Sequence, residues 1–179
     1  MQRKSVIVAA KRTPIGAFQG HLSSISPADL AAIAIKNILE ETCIQPDQID
    51  EIIMGNVFTA GQGQAPARQA ALNSGCPKSI EALTINKMCG SGLKAVMLAD
   101  QAIRCGDAAM VLAGGMESMS NAPYLLKNIR GGQKLGHVTM IDSMIHDGLW
   151  DVYSNKHMGT CAEMLATDRN SVSYTHLRA

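Results

Sequence analysis

Over the first 115 or so residues the hydrophobic pattern switches repeatedly between a strand-like and a helix-like period, and this limits the possible folds most. "KSVIVAA" (4–10) is short and β-branched, which predicts a buried strand. "SPADLAAIAIKNILEETC" (26–43) predicts a helix: Ser26 suits the N-cap, Pro27 the first helical position, and Leu30, Ile33, Ala34 and Ile38 share a face. "EIIMGNV" (51–57) reads as a second strand, "APARQAALNSG" (65–75) as a helix stopped by Gly75, and "EALTIN" (81–86) as a third strand. "GLKAVMLADQAIRCG" (92–106) is again helical with a glycine stop, and "AAMVLAGG" (108–115) is a fourth strand. The order β-α-β-α-β-α-β predicts an α/β layered fold with a largely parallel sheet and helical crossovers. From 116 to 156 the periodicity weakens, and "NIRGGQKLG" (128–136) reads as a polar excursion of the kind that carries function. A short helix is predicted from Met158, over "MGTCAEMLATD".

Composition narrows the partners. Sixteen Lys and Arg against fifteen Asp and Glu, with no basic block, argue against nucleic acid. The apolar stretch Val6–Ala10 is too short for a signal-peptide core, and no apolar run reaches the roughly 18 residues of a membrane span. Cysteines 43, 76, 89, 105 and 161 are odd in number and lack a CxxC pair, so neither a disulfide scaffold nor a metal site is expected. A cytoplasmic protein without membrane contact is the expectation.

One cysteine stands apart. In "INKMCGSGLKAV" (85–96), Cys89 falls where a predicted strand gives way to a predicted helix. In open α/β sheets reactive groups collect beyond the carboxyl ends of the strands, and the first turn of a helix favours an anion. Gly90 and Gly92 clear side chains from the approach, so backbone N–H groups can come close to a bound carbonyl oxygen. Those are the requirements for attack by sulfur on an acyl group. Position alone leaves the other reading open, because a cysteine among Met and Val is also a small core residue. Cys43 and Cys105 lie near helix ends of the wrong polarity, Cys76 precedes a proline in a turn, and Cys161 sits in a Met/Ala-rich helix. Glu117, in "GGMESMS", could be a base in isolation, but a carboxylate after a strand is as often structural, pairing with backbone N–H groups.

Five stretches together carry a resemblance. "NKMCGSGLKAV" resembles the acylated-cysteine motif of thiolases, and "VIVAAKRTPIGAFQG" (6–20) resembles their N-terminal strand and loop. "GNVFTAGQGQAPARQAAL" (55–72), "VLAGGMESMSNAPYLL" (111–126) and "HMGTCAE" (157–163) follow in the family's order. Within the family, "CGSGLKAV" with "HMG" is most similar to the biosynthetic, acetoacetyl-CoA type.

The resemblance implies a thiolase-like α/β layered fold, with an incomplete N-terminal domain over 1–118 and a partial loop domain over 119–170. It implies reversible Claisen condensation of two acetyl-CoA to acetoacetyl-CoA and CoA through an S-acetyl intermediate on Cys89. His157 and Met158 are implied to border the acyl and pantetheine end of the pocket. Coenzyme A is then substrate and product, with no further cofactor and no metal. A dimer of dimers is implied, with 55–72 at the dimer interface and the excursion around 124–137 as a tetramerisation loop. The helix over 92–105 is expected to lie buried between layers. A ketoacyl-synthase-type condensing enzyme and a non-catalytic acyl-CoA- or lipid-binding relative are the alternatives, which "GGMESMS", "HMG" and the glycine setting of Cys89 disfavour.

The resemblance also sets limits. Thiolases are more than twice this length, and their second half carries a Gly-His-Pro histidine and a Cys-x-Gly-Gly-Gly cysteine that transfer protons. Neither motif occurs among these 179 residues, so the chain reads as an N-terminal fragment that is inactive alone. The stretch 171–179, within "SVSYTHLRA", departs from the family and reads as a non-native tail.

Overall fold

A computed structural model describes residues 3–169, which divide into two compact units, one up to Ala122 and the other from Pro123. The expected tail, 171–179, lies outside the described residues. In the first unit the element order is α1 (Pro27–Thr42), β1 (Glu51–Gly55), α2 (Pro66–Asn73), β2 (Glu81–Ile85), α3 (Ser91–Cys105) and β3 (Val111–Gly115). The strands form one parallel sheet in the order β2-β1-β3, with Ile53 of β1 in register with Leu83 and Ala113.

Helix boundaries follow local chemistry. The Ser26 hydroxyl accepts from the Asp29 N–H at the start of α1, 3.1 Å away, with Pro27 at the first helical position. Gly106, at φ +89°, ends α3 in the left-handed conformation that glycine adopts without strain. The central strand is buried on both faces. Ile52 and Met54 pack with Ala31, Ile35 and Leu39 of α1 and Ala67, Ala70 and Ala71 of α2 in one cluster. On α3, which packs on β1 and β3, Ala95 and Ala99 are the buried apolar residues.

Two expectations are corrected. Residues 4–10 form no strand: Val6, Ile7 and Val8 are strongly exposed, and the segment is irregular. Its β-branched residues supply propensity, but a strand needs a neighbour's backbone to bond, and the segment meets none among the described residues. It is tethered to α3, where Ser5 Oγ lies 2.5 Å from Asp100 Oδ1. The second correction concerns α3, which is covered on one side only. Leu93 is 70% exposed and Met97 50%, because the described residues offer this helix one sheet and no second layer.

The second unit holds more order than its weak periodicity predicts. β4 (Tyr124–Leu126) pairs antiparallel with β5 (Met140–Asp142), and β6 (Trp150–Asp151) with β7 (Lys156–His157). A helix, α4 (Met158–Asp168), follows where "MGTCAEMLATD" predicts one. Among the described residues no helix is long and apolar enough to cross a membrane.

Candidate active site

Cys89 is exposed at the carboxyl end of β2, just before α3 begins. Three glycines bring the head of that helix down onto the strand ends. A Cβ on Gly115 would lie 3.2 Å from the Gly92 Cα, and a Cβ on Gly55 would overlap the Ser91 backbone. Backbone therefore meets backbone where side chains would hold the layers apart.

The turn that carries Cys89 is tightly defined. Met88 adopts φ +48°, a left-handed conformation uncommon for a residue with a side chain. Every backbone polar group of Lys87 and Met88 is bonded. Lys87 N–H donates to Ser91 Oγ (2.8 Å), and the Lys87 carbonyl accepts from Gly90 N–H (3.1 Å). Met88 N–H donates to Asn86 Oδ1 (2.9 Å), and the Met88 carbonyl accepts from both the Ser91 N–H (3.0 Å) and the Ser91 hydroxyl (2.6 Å).

Glu117, in the loop after β3, joins that loop to the one after β1. Its carboxylate accepts from the Val57 N–H (2.8 Å), the Phe58 N–H (3.1 Å) and Asn56 Nδ2 (2.6 Å). Asn56 is buried, and its Nδ2 also lies 3.2 Å from the Met116 carbonyl, while its backbone N–H donates to the Ile85 carbonyl at 2.9 Å. Asn86, the residue after Ile85, reaches back through Nδ2 to the Val57 carbonyl at 3.4 Å. Burial pushes the Glu117 carboxyl above the usual range, opposed by its bonds to Val57, Phe58 and Asn56. Of the two readings the sequence leaves open for Glu117, base or structural carboxylate, these bonds to backbone N–H groups match the second. Asn56, Asn86 and the Ser91 hydroxyl were not singled out, and only a loop-rich composition around strand ends pointed to them.

His157 and Met158 belong to the second unit. His157 is the N-cap of α4, its Nδ1 accepting from the Gly159 N–H at 3.0 Å. With Nδ1 occupied as acceptor, Nε2 carries the proton of the neutral ring. Met158 opens α4 and is half exposed.

A cavity of about 290 Å³ lies elsewhere in the first unit, between α1, the small residues Ala113, Gly114 and Gly115, and Lys11–Thr13. Cys89 does not line it. The space arises because β3 is an edge strand with little side-chain volume at its end.

Comparison with known sequences agrees with this arrangement. A family profile described as the thiolase N-terminal domain matches residues 5–173. The chain is 54% identical over 161 residues to an acetyl-CoA acetyltransferase of Pseudomonas aeruginosa, covering 90% of this chain and 41% of that protein. It is 50% identical over 163 residues to a probable acetyl-CoA acetyltransferase of Escherichia coli K12, covering 91% and 42%. A probable acetyl-CoA acyltransferase of Staphylococcus aureus is 53% identical over 161 residues, with 90% and 41% covered. The chain thus spans about two fifths of the length of the curated relatives it matches. With the family profile matching residues 5–173 of this chain and a parallel sheet delivering Cys89 to the head of α3, the chain belongs to the thiolase family.

Proposed function

We propose that this chain is the N-terminal part of an acetyl-CoA C-acetyltransferase in which Cys89 carries the acetyl group. The observation that supports this best is the exposed thiol on a fully bonded left-handed turn, at the carboxyl end of a parallel sheet and the head of a helix. In the first half-reaction the Cys89 thiolate attacks the thioester carbonyl of acetyl-CoA. A C–S bond to Cys89 forms, the bond to CoA breaks, and CoA leaves as the thiolate and takes up a proton. In the second, a base removes a proton from the methyl of another acetyl-CoA. The resulting carbanion attacks the S-acetyl carbonyl, releasing acetoacetyl-CoA and the Cys89 thiolate.

His157 and Met158 contact the acyl and pantetheine part of the substrate, Met158 as a polarizable wall that favours a short acyl chain. The groups that move the protons lie in the C-terminal continuation, as the family resemblance implies. The full-length protein acts in acyl-CoA and fatty acid metabolism in the cytoplasm, without membrane or nucleic-acid partners. It assembles as a dimer of dimers, the dimer interface using 55–72 and the tetramer contact the arm between β4 and β5. Relatives named as acetyl-CoA acetyltransferases support the substrate class.

The test is mass spectrometry of the full-length protein after incubation with acetyl-CoA. An acetyl adduct on the peptide containing Cys89 is expected. An adduct elsewhere, or none, overturns the reading. Light scattering at micromolar concentration should report a tetramer, and a monomer would overturn the assembly.

A further inference from the structure

We propose that the Ser91 hydroxyl is the positioning device for Cys89, holding Met88 in the left-handed conformation that presents the thiol. This rests on the reading of Cys89 as the acetyl-carrying residue. Among the described residues the Cys89 side chain makes no hydrogen bond, so its placement is set by the backbone on either side. On the N-terminal side stands Met88, in a conformation that its Cβ disfavours. Something must hold it there.

Ser91 is suited to that task by its chemistry. A hydroxyl can donate and accept at once, and Ser91 Oγ does both, accepting from Lys87 N–H at 2.8 Å and donating to the Met88 carbonyl at 2.6 Å. The two bonds bracket Met88. A serine at a helix start ordinarily turns its hydroxyl forward onto the free N–H groups of the first turn. Here the hydroxyl reaches back, and the N-cap, Gly90, has no side chain to give. Ser91 is buried, and the space around it is tight, since a Cβ on Gly55 would lie 2.6 Å from Ser91 Cβ. Alanine loses both bonds, and threonine adds a methyl where there is little room. Two further ties do not need the hydroxyl: Asn86 Oδ1 accepts from the Met88 N–H, and the Ser91 backbone N–H donates to the Met88 carbonyl.

Ser91 touches no reacting atom, so removing its hydroxyl should change the rate of acetyl transfer and leave acetyl-CoA binding alone. The experiment follows single-turnover acetylation of Cys89 in the full-length protein, by quenched-flow mass spectrometry over a range of acetyl-CoA concentrations. Ser91→Ala should lower the limiting rate by about tenfold, the factor set by the disfavoured left-handed backbone, with half-saturation unchanged. Met88→Gly in the Ser91→Ala background should recover most of that loss, because glycine occupies a positive φ without the Cβ penalty. Acetylation of Ser91→Ala at the wild-type rate overturns the proposal. So does a loss that Met88→Gly does not restore, which would mark a packing role. If the wild-type protein forms no adduct on Cys89, the reading of Cys89 fails first and this proposal with it.

Discussion

Gly55, the last residue of β1, stands so close to Ser91 at the head of α3 that a Cβ on it would lie 2.5 Å from the Ser91 carbonyl carbon. The atoms it would meet, Ser91 C and Gly92 N, are backbone and cannot swing aside. Gly55→Ala should therefore lift the helix start off the sheet and destabilise the protein by roughly 2–3 kcal/mol, at the upper end of overpacking costs. Gly131→Ala is the control, since an added Cβ there meets nothing within 4 Å. Thermal unfolding of the two variants in the full-length protein checks the contrast. Equal midpoints would refute the close approach.

Glu117→Gln replaces one carboxylate oxygen with an amide group facing Asn56, Val57 or Phe58, all of which donate. A loss of about 1–3 kcal/mol at neutral pH is expected from the unsatisfied donor. The pH dependence carries a second signature. Burial raises the Glu117 carboxyl above its ordinary 4.5, so the folded form keeps its proton to higher pH than the unfolded chain. The stability this group contributes is fully present below the unfolded value and is lost as pH rises through the folded one. The gap between wild type and Glu117→Gln should accordingly narrow as pH climbs through that window. Unfolding midpoints measured across the acid range decide it, and a gap that widens would contradict the assigned direction.

Glu51 and Glu81 lie opposite each other at the start of the parallel β1–β2 pair. Desolvation first, and the Glu81 charge second, raise the Glu51 carboxyl. The sign is again that stability is lost as pH rises through the folded value. Glu81→Gln removes the facing charge and should stabilise the protein by a few tenths of a kcal/mol at neutral pH, with no gain in acid where both groups are neutral. Because Glu81 is exposed and Glu51 only partly buried, added salt should shrink the gain. A benefit that persists in acid would point to packing.

The 179-residue chain by itself should not turn over acetoacetyl-CoA. A positioned general acid or base typically contributes 10²–10⁴-fold, and the proposed proton-transfer groups lie in the continuation. Exposed Leu93, Val96 and Met97 on α3 should also make the isolated chain associate or aggregate. Thiolysis by the purified chain is expected to equal that of its Cys89→Ala variant. Turnover that Cys89→Ala abolishes would show that the proton-transfer groups are present within these residues.

Much of the first unit was legible in the order of residues because the signals involved are local. Ser26 and Pro27 begin α1, Gly106 ends α3, and the alternation of short apolar runs with amphipathic helices implies that β1, β2 and β3 run parallel, though not their order in the sheet. Each depends on neighbours within a turn or a strand length. The "MCGSG" run likewise placed a thiol between strand and helix, since the surrounding periodicity changes there.

What the sequence could not supply came from partners far away along the chain. "KSVIVAA" has the composition of a strand, but pairing requires a free edge within reach, and the segment stays irregular. The α3 pattern marks Leu93, Val96 and Met97 as apolar without saying which layer covers them. Glu117 meets Asn56, some 61 residues earlier, only because adjacent parallel strands bring their carboxyl ends together. The sequence determined which residues could be helix, strand or nucleophile, through propensity and periodicity. Tertiary structure alone decided that Ser91 turns its hydroxyl back onto Met88, because that choice depends on the backbone closing at Gly55, Gly92 and Gly115.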